Sequence, residues 1–411
     1  MNRQKKIMLL GGIHYLLPVI KAAHEQGYYV ITADYLPDNI AHKYSDEYVN
    51  VSITDKEAVL KAAQEHQIDG IISFGVDPGV VAAAYVQEKM GLPSMGPYES
   101  VVILQNKDLF RAFLQEHGFN CPKSKGYSSV DEALADTDWL TWPMIVKPTD
   151  SAGSKGVTRV DSINEYEAAV KYAFEKSIKG HIIVEQYLEK IGCSSDSDMF
   201  SVNGELRVVT YNAQRFDEKA VNPYVPAAFT WPSTYTEEQE SYLTNEISRL
   251  LHLLRMGTTL YNVETRISTD GKPYIMEVSP RGGGNRLAES IRYATGVDMI
   301  TAAVRAAVGD EIELYLPSVT VGKKVKYKYY FAYVVLHATQ SGIFKGLNID
   351  LNFWKKHHVE PMDLWVKFGE YVESFTGANA TIGTFPCRFD NKEEMEYVIT
   401  HQSEWLKINV Q

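Results

Sequence analysis

The stretch GKPYIMEVSPRGGG, residues 271–284, decides how this chain is read. Its apolar run at 274–276 predicts a strand that delivers Glu277 just before Ser279, Pro280, Arg281 and three glycines. Upstream, LYNVETRIS (260–268) predicts the other arm of a hairpin turning at Asp270-Gly271. Counting back from that turn sets Glu264 roughly opposite Glu277. Like charges so placed repel unless a cation lies between them. Two such carboxylates suit Mg²⁺, which can bridge phosphate oxygens. Arg281 adds a planar, fixed charge for a phosphoryl or carboxylate oxygen. A plain surface hairpin would leave both the acidic pair and the glycine run without a purpose.

A second segment, WPMIVKPTDSAGSKGVTRV (142–160), reads as strand, small-residue loop, strand. Lys147 ends the first strand. In the loop, Gly153 and Gly156 allow backbone N–H groups close to phosphate oxygens, while Ser151, Ser154 and Lys155 add side-chain donors. The loop joins two strands, so it is not the strand-to-helix phosphate loop. A third segment, HIIVEQYLE (181–189), is a strand whose end, Glu185, Gln186, Tyr187 and Leu188, can offer backbone hydrogen bonds and an apolar face to a purine.

Around these segments, the first hundred residues alternate apolar runs (7–10, 29–33, 70–74) with helical patterns (18–26, 56–66). That alternation predicts a doubly wound parallel sheet. Gly11-Gly12 and Asp34 sit where a dinucleotide fold would need them, but a complete glycine fingerprint is missing, and turn and capping roles explain them better. Turn formers at 91–97 mark a boundary. Helices are predicted at 106–117, 164–176 and 236–255, a hairpin at 201–214 turning on Asn203-Gly204, and a strand-rich piece beyond 317. The run KKVKYKYY (323–330) alternates at period two and reads as a strand with one solvated face. The fold class is α/β (α+β), with units expected at 1–96, 97–312 (a lid at about 123–190) and 313–411.

The 411 residues carry 45% hydrophobic and 23% charged side chains and a net charge of −11, a globular composition that speaks against a nucleic-acid partner. Three scattered cysteines, Cys121, Cys193 and Cys387, form neither a zinc spacing nor a disulfide framework, and no run reaches membrane-spanning length. A cytoplasmic protein without membrane contact is expected.

Taken in order, the segments resemble the ATP-grasp superfamily, closest to its biotin carboxylase-like and L-amino-acid ligase branch. The resemblance makes Lys107 (in QNKDLFRAFL, 105–114) and Lys147 the two nucleotide lysines, and residues 151–156 a mobile lid over the phosphates. It makes 185–188 the adenine hinge, with Glu185 accepting from the exocyclic amine. Glu264 and Glu277 become the metal pair, with Ser279 in place of the usual asparagine ligand, and Arg281 the arginine of the E-x-N-P-R motif. A ribose-binding acid is not clear in GCSSDSD (192–198), where Ser194, Asp196 and Asp198 stay open.

The implied architecture is an N-terminal doubly wound domain, a two-lobed ATP-grasp domain and a β-rich C-terminal subdomain. The implied activity uses ATP and Mg²⁺ (or Mn²⁺) to activate a small-molecule carboxylate as an acyl-phosphate and couple it to an amine. Lys147 and Arg281 would be catalytic, Asn285 and Arg286 would recognise a substrate carboxylate, and a homodimer is implied. Carbamoyl-phosphate synthase-like or carboxylase-like chemistry, or a catalytically silent nucleotide sensor, are the alternatives.

Overall fold

A computed structural model describes residues 3–149, 156–223, 225–316, 325–359 and 362–411. The first four strands, β1 (Lys6–Leu10), β2 (Tyr29–Asp34), β3 (Glu47–Asn50) and β4 (Gly70–Ser73), form a parallel sheet in the order β3-β2-β1-β4. Successive residues of β1 point to opposite faces, and both faces are covered. Ile7 and Leu9 enter one core with Val19, Ile300 and Val304, while Met8 and Leu10 enter another with Val59 and Ala83. Double burial is why KIMLL is an unbroken apolar run. One covering helix, Met299–Ala307, comes from far along the chain, and it passes so close that a Cβ on Gly70 would lie 2.1 Å from the Ala307 carbonyl oxygen.

Next come β5 (Ser124–Tyr127), β6 (Met144–Pro148), β7 (Thr158–Val160) and β8 (Ile182–Gln186), an antiparallel sheet ordered β5-β8-β6-β7 and backed by the helix Ile163–Lys176. The strands β9 (Ser195–Val202), β10 (Glu205–Val208), β11 (Ala213–Phe216), β12 (Pro226–Trp231), β13 (Thr259–Ile267) and β14 (Pro273–Ser279) follow. Of these, β10-β9-β13-β14 make one antiparallel sheet. Asn203 and Gly204 turn β9 into β10 with positive φ at both residues (51° and 82°), as a tight hairpin requires. That hairpin starts and ends earlier than expected: residues 213–216 leave it and join another sheet.

The final strands are β15 (Tyr330–His337), β16 (Gly342–Ile349), β17 (Asp363–Leu364), β18 (Tyr371–Val372), β19 (Thr381–Phe389) and β20 (Leu406–Val410). A sheet ordered β11-β12-β15-β19-β17 combines three of them with earlier strands and so extends a sheet begun before residue 232, while β18-β16-β20 form a separate sheet. The run at 323–330 needs correcting. Within its described part the strand begins only at Tyr330, and 325–329 is a connector that bends at 328–329. Its alternation comes from packing: Val325 is buried, the Tyr327 hydroxyl donates to the Tyr211 carbonyl at 3.3 Å, and the Lys328 N–H donates to the Ala294 carbonyl at 2.7 Å.

Candidate active site

The β13–β14 register pairs Glu264 with Glu277 through a β-bulge between Glu264 and Thr265, and the next strand pairs Glu264 with Asp196. Three carboxylates thus lie in a row across β9, β13 and β14. Burial, and then the neighbouring Glu264, push the Asp196 carboxyl up to about 8. Burial also raises Glu264, with Arg266 opposing and Glu277 adding to the rise. The Asn262 amide donates to Asp196 at 2.6 Å, and it also reaches Asp198, whose Oδ1 accepts from the Gly283 N–H at 2.9 Å. Asp198 Oδ2 is buried without a partner, and burial lifts that carboxyl to about 7. Glu264 and Glu277 are hard oxygen donors of the kind a divalent cation takes, but among the described residues no group of three or more carboxylate, thiol or imidazole side chains is placed to hold a metal ion by itself.

The positive side is built differently. Lys147, on β6, pairs through Nζ with Glu185 Oε1, and Arg111 Nε donates to Glu185 Oε2 at 2.9 Å. Burial alone would raise Glu185, but Lys147 and Arg111 outweigh it and hold the carboxyl at about 2. Two cations sharing one anion leave a net positive charge beside the cleft. Arg111 also donates to the Met276 carbonyl at 2.8 Å, tying this cluster to the residue before Glu277. Arg111 lies four residues after Lys107, one helical turn along the helix Lys107–Glu116, and no motif marked it. The Glu185 side chain, expected to meet an exocyclic amine, therefore anchors Lys147.

Hinge residues 186–188 are held by main chain. The Gln186 N–H donates to the Lys123 carbonyl (2.8 Å), the Tyr187 N–H to the Pro143 carbonyl (3.0 Å), and the Leu188 carbonyl accepts from Arg266 (3.0 Å). Arg159 lies over the Tyr187 ring, 4.5 Å from its centre. Of the loop residues, Ser151, Gly153, Ser154 and Lys155 fall outside the described residues. Gly156 has φ of +74°, and a Cβ there would strike Pro148 and Lys176 at 2.8 Å.

Arg281 is buried and bound sideways by Asp77, with Nε to Oδ1 and Nη2 to Oδ2 both at 2.8 Å, while Nη1 donates to the Gly282 carbonyl at 2.9 Å. Ser279, expected as a metal ligand, has another task. Its fully buried hydroxyl donates to Asp77 at 3.0 Å and accepts from the Gln105 amide at 2.8 Å. Asn285 and Arg286 both adopt φ of 52°, a strained conformation for side-chain-bearing residues. The Tyr15 hydroxyl donates to Asn285 Oδ1 at 3.0 Å, and Arg286 is bidentate to Glu289 at 2.8 and 2.9 Å. Arg286 is therefore committed to its own helix, whereas Asn285 lines the cleft.

That cleft, about 2380 Å³, is lined by Lys107, Lys147, residues 185–188, Asp196, Glu264, Glu277, Asp34, Asn39 and Asp77. Of the three open ribose candidates, only Asp196 lines it. Around the first glycine turn, a Cβ on Gly12 would lie 2.6 Å from both Asn39 and His42, and Asp34 accepts from the Leu36 N–H and the Asn39 amide. Close packing and turn capping account for both features.

Residues 140–289 match the ATP-grasp domain family. Carbamoyl phosphate synthase large chain from Thermotoga petrophila is 24% identical over 320 residues, covering 74% of this chain but 28% of that protein. The same protein from Helicobacter pylori is 27% identical over 266 residues, 62% of this chain and 23% of its own length. The chain thus spans about a quarter of the length of these curated relatives. Among solved structures, an L-amino acid ligase from Bacillus licheniformis superposes with a TM-score of 0.82 at 21% identity, and phosphoribosylglycinamide synthetase from Anaerococcus prevotii with 0.77 at 17%, each covering the whole of both chains. Residues 140–289 are thus similar to ATP-grasp domains, and the chain has an α/β fold that combines a parallel sheet with antiparallel ones.

Proposed function

We propose that this chain is an ATP- and Mg²⁺-dependent ligase that activates a small-molecule carboxylate as an acyl-phosphate and joins it to an amine. The observation that carries the reading is the pairing of Glu264 with Glu277 across one register position, in the same cleft as Lys107 and Lys147. Two of the structural neighbours covered end to end bear ligase or synthetase names, which supports the same reading.

In this reading Glu264 and Glu277 hold Mg²⁺, which would neutralise phosphate charge. Lys107 and Lys147 bind the nucleotide phosphates, Lys147 being held in place by Glu185. Residues 186–188 and the Tyr187 ring receive the adenine. A carboxylate oxygen of the substrate attacks the γ-phosphorus, the bond to the β-phosphate oxygen breaks, and ADP leaves. The amine then attacks the acyl carbon, phosphate departs, and Arg281 stabilises the oxygen charge that develops. Asn285 is the better placed of the two residues suggested for the substrate carboxylate. Units at 1–96, 97–312 and 313–411, with a lid at about 123–190, and a homodimer complete the reading. Among the described residues no helix is long and apolar enough to cross a membrane.

The test is phosphate release from Mg-ATP with pairwise mixtures of the standard amino acids, followed by mass spectrometry for a condensed product. Release with bicarbonate and ammonia alone would favour carbamoyl-phosphate-type chemistry, to which the curated relatives point. ATP binding without phosphate release under any mixture would favour a silent nucleotide sensor.

A further inference from the structure

Asp77 belongs to none of the motifs, yet it is the most connected acid at the cleft. It sits in the turn GVDPG that follows β4, on the parallel-sheet side of the molecule, and reaches across to the loop after β14. Both its oxygens grip the side edge of Arg281, and one also accepts from Ser279, whose own partner is Gln105. Beside these contacts, the Gly75 N–H donates to the Gly282 carbonyl at 3.0 Å, so main chain joins main chain at the same place. Against Gly282, a Cβ would lie 2.4 Å from the Phe74 ring, which explains a glycine there. Burial would raise the Asp77 carboxyl, but Arg281 prevails and holds it below the usual range.

Arg281 has five N–H donors. Asp77 takes two and Gly282 one, which leaves one on each terminal nitrogen. A guanidinium pinned at one edge cannot swing, so those last two donors keep a single direction.

We propose that Asp77, which lines the cleft, is a positioning residue for the reaction, holding Arg281 in one orientation beside it. The proposal rests on the role given to Arg281 above. It also accounts for Ser279: the residue that stands at the expected asparagine is the second hand on Asp77.

The experiment compares Asp77→Asn, Asp77→Glu and Arg281→Ala. Turnover is measured as phosphate release with the amino-acid pair that is most active in the screen, Mg-ATP affinity by calorimetry, and the Arg281 Nε–H resonance by ¹⁵N NMR, assigned by its loss in Arg281→Ala. Asp77→Asn is expected to lower kcat about 10- to 100-fold, leave Mg-ATP affinity within about twofold, and shift the Nε–H resonance. Asp77→Glu is expected to recover part of kcat. A purely structural Asp77 would lower thermal stability and leave kcat of the folded enzyme unchanged, which overturns the proposal, as does an unmoved Nε–H resonance. If Arg281→Ala turns over normally, or no mixture releases phosphate, the reading of Arg281 fails first and the positioning role falls with it. The NMR shift then records only an architectural pair.

Discussion

On one side of the cleft Lys147, Glu185 and Arg111 share their charges. On the other, Asp196, Glu264 and Glu277 line up with the same sign. Arg111 and Glu185 are buried, whereas the three acids are half-buried along the cleft, and strand register fixes every member except Arg111, which a helix carries. The first is complete within the protein: Glu185 has a cation at each oxygen and ionises far below its usual range. The second is incomplete: Asp196 is lifted to about 8 and Glu264 is raised, because burial and neighbouring acids both oppose ionisation there. A complete cluster stabilises the fold and orients Lys147. An incomplete one stores a demand for positive charge that a bound cation would meet.

If that contrast holds, removing a carboxylate has different consequences on the two sides. Glu185→Gln leaves Lys147 and Arg111 facing each other without an anion, and should cost about 3–5 kcal/mol of folding stability, measured by urea unfolding. A loss under about 1 kcal/mol would show that the cluster is not the closed unit described. Glu277→Gln should leave unfolding nearly unchanged but lower phosphate release by about 10²–10³-fold. Normal turnover in that variant would sink the metal assignment.

The smallest effect is in pH dependence, where the two clusters have opposite signs. Glu185 has a depressed pKa in the fold, so its contribution is present above pH 4.5 and is lost as pH falls from there towards about 2. Asp196 has a raised pKa, so the folded state binds the extra proton, and its contribution fades as pH rises from about 4 to about 8. The ligand-free protein should therefore lose melting temperature between pH 5 and pH 8, and Asp196→Asn should flatten that slope. A slope identical in the variant would remove Asp196 from the account.

Much of this was legible in the chain. The Asp270-Gly271 turn and the alternation on either side bring Glu264 close to Glu277, but counting outward from the observed register would pair Glu264 with Met276, and a β-bulge between Glu264 and Thr265 completes the match. The unbroken apolar run at 7–10 announced a strand covered on both faces, and β1 is one. The short strands β11 and β12 went unread, since their partner β15 begins about a hundred residues later and local pattern carries no record of it. The period-two run before β15 misled for a related reason: alternation records which side chains are buried, and a connector whose alternate residues pack against the protein alternates as a strand does.

What the sequence by itself determined is local chemistry with a short reach: the turn that brings two acids close to each other, the lysine at the end of a strand, the glycine that alone tolerates its φ. The tertiary structure decided the partners. It gave Glu185 to Lys147 and Arg111, Ser279 and Arg281 to Asp77, and Arg286 to Glu289, and thereby separated residues free to meet a ligand from residues already engaged. The physical reason is that a buried charge must be matched by whatever group the fold brings within hydrogen-bonding distance. For Arg281 that group lies 204 residues away in sequence, where no spacing rule can reach.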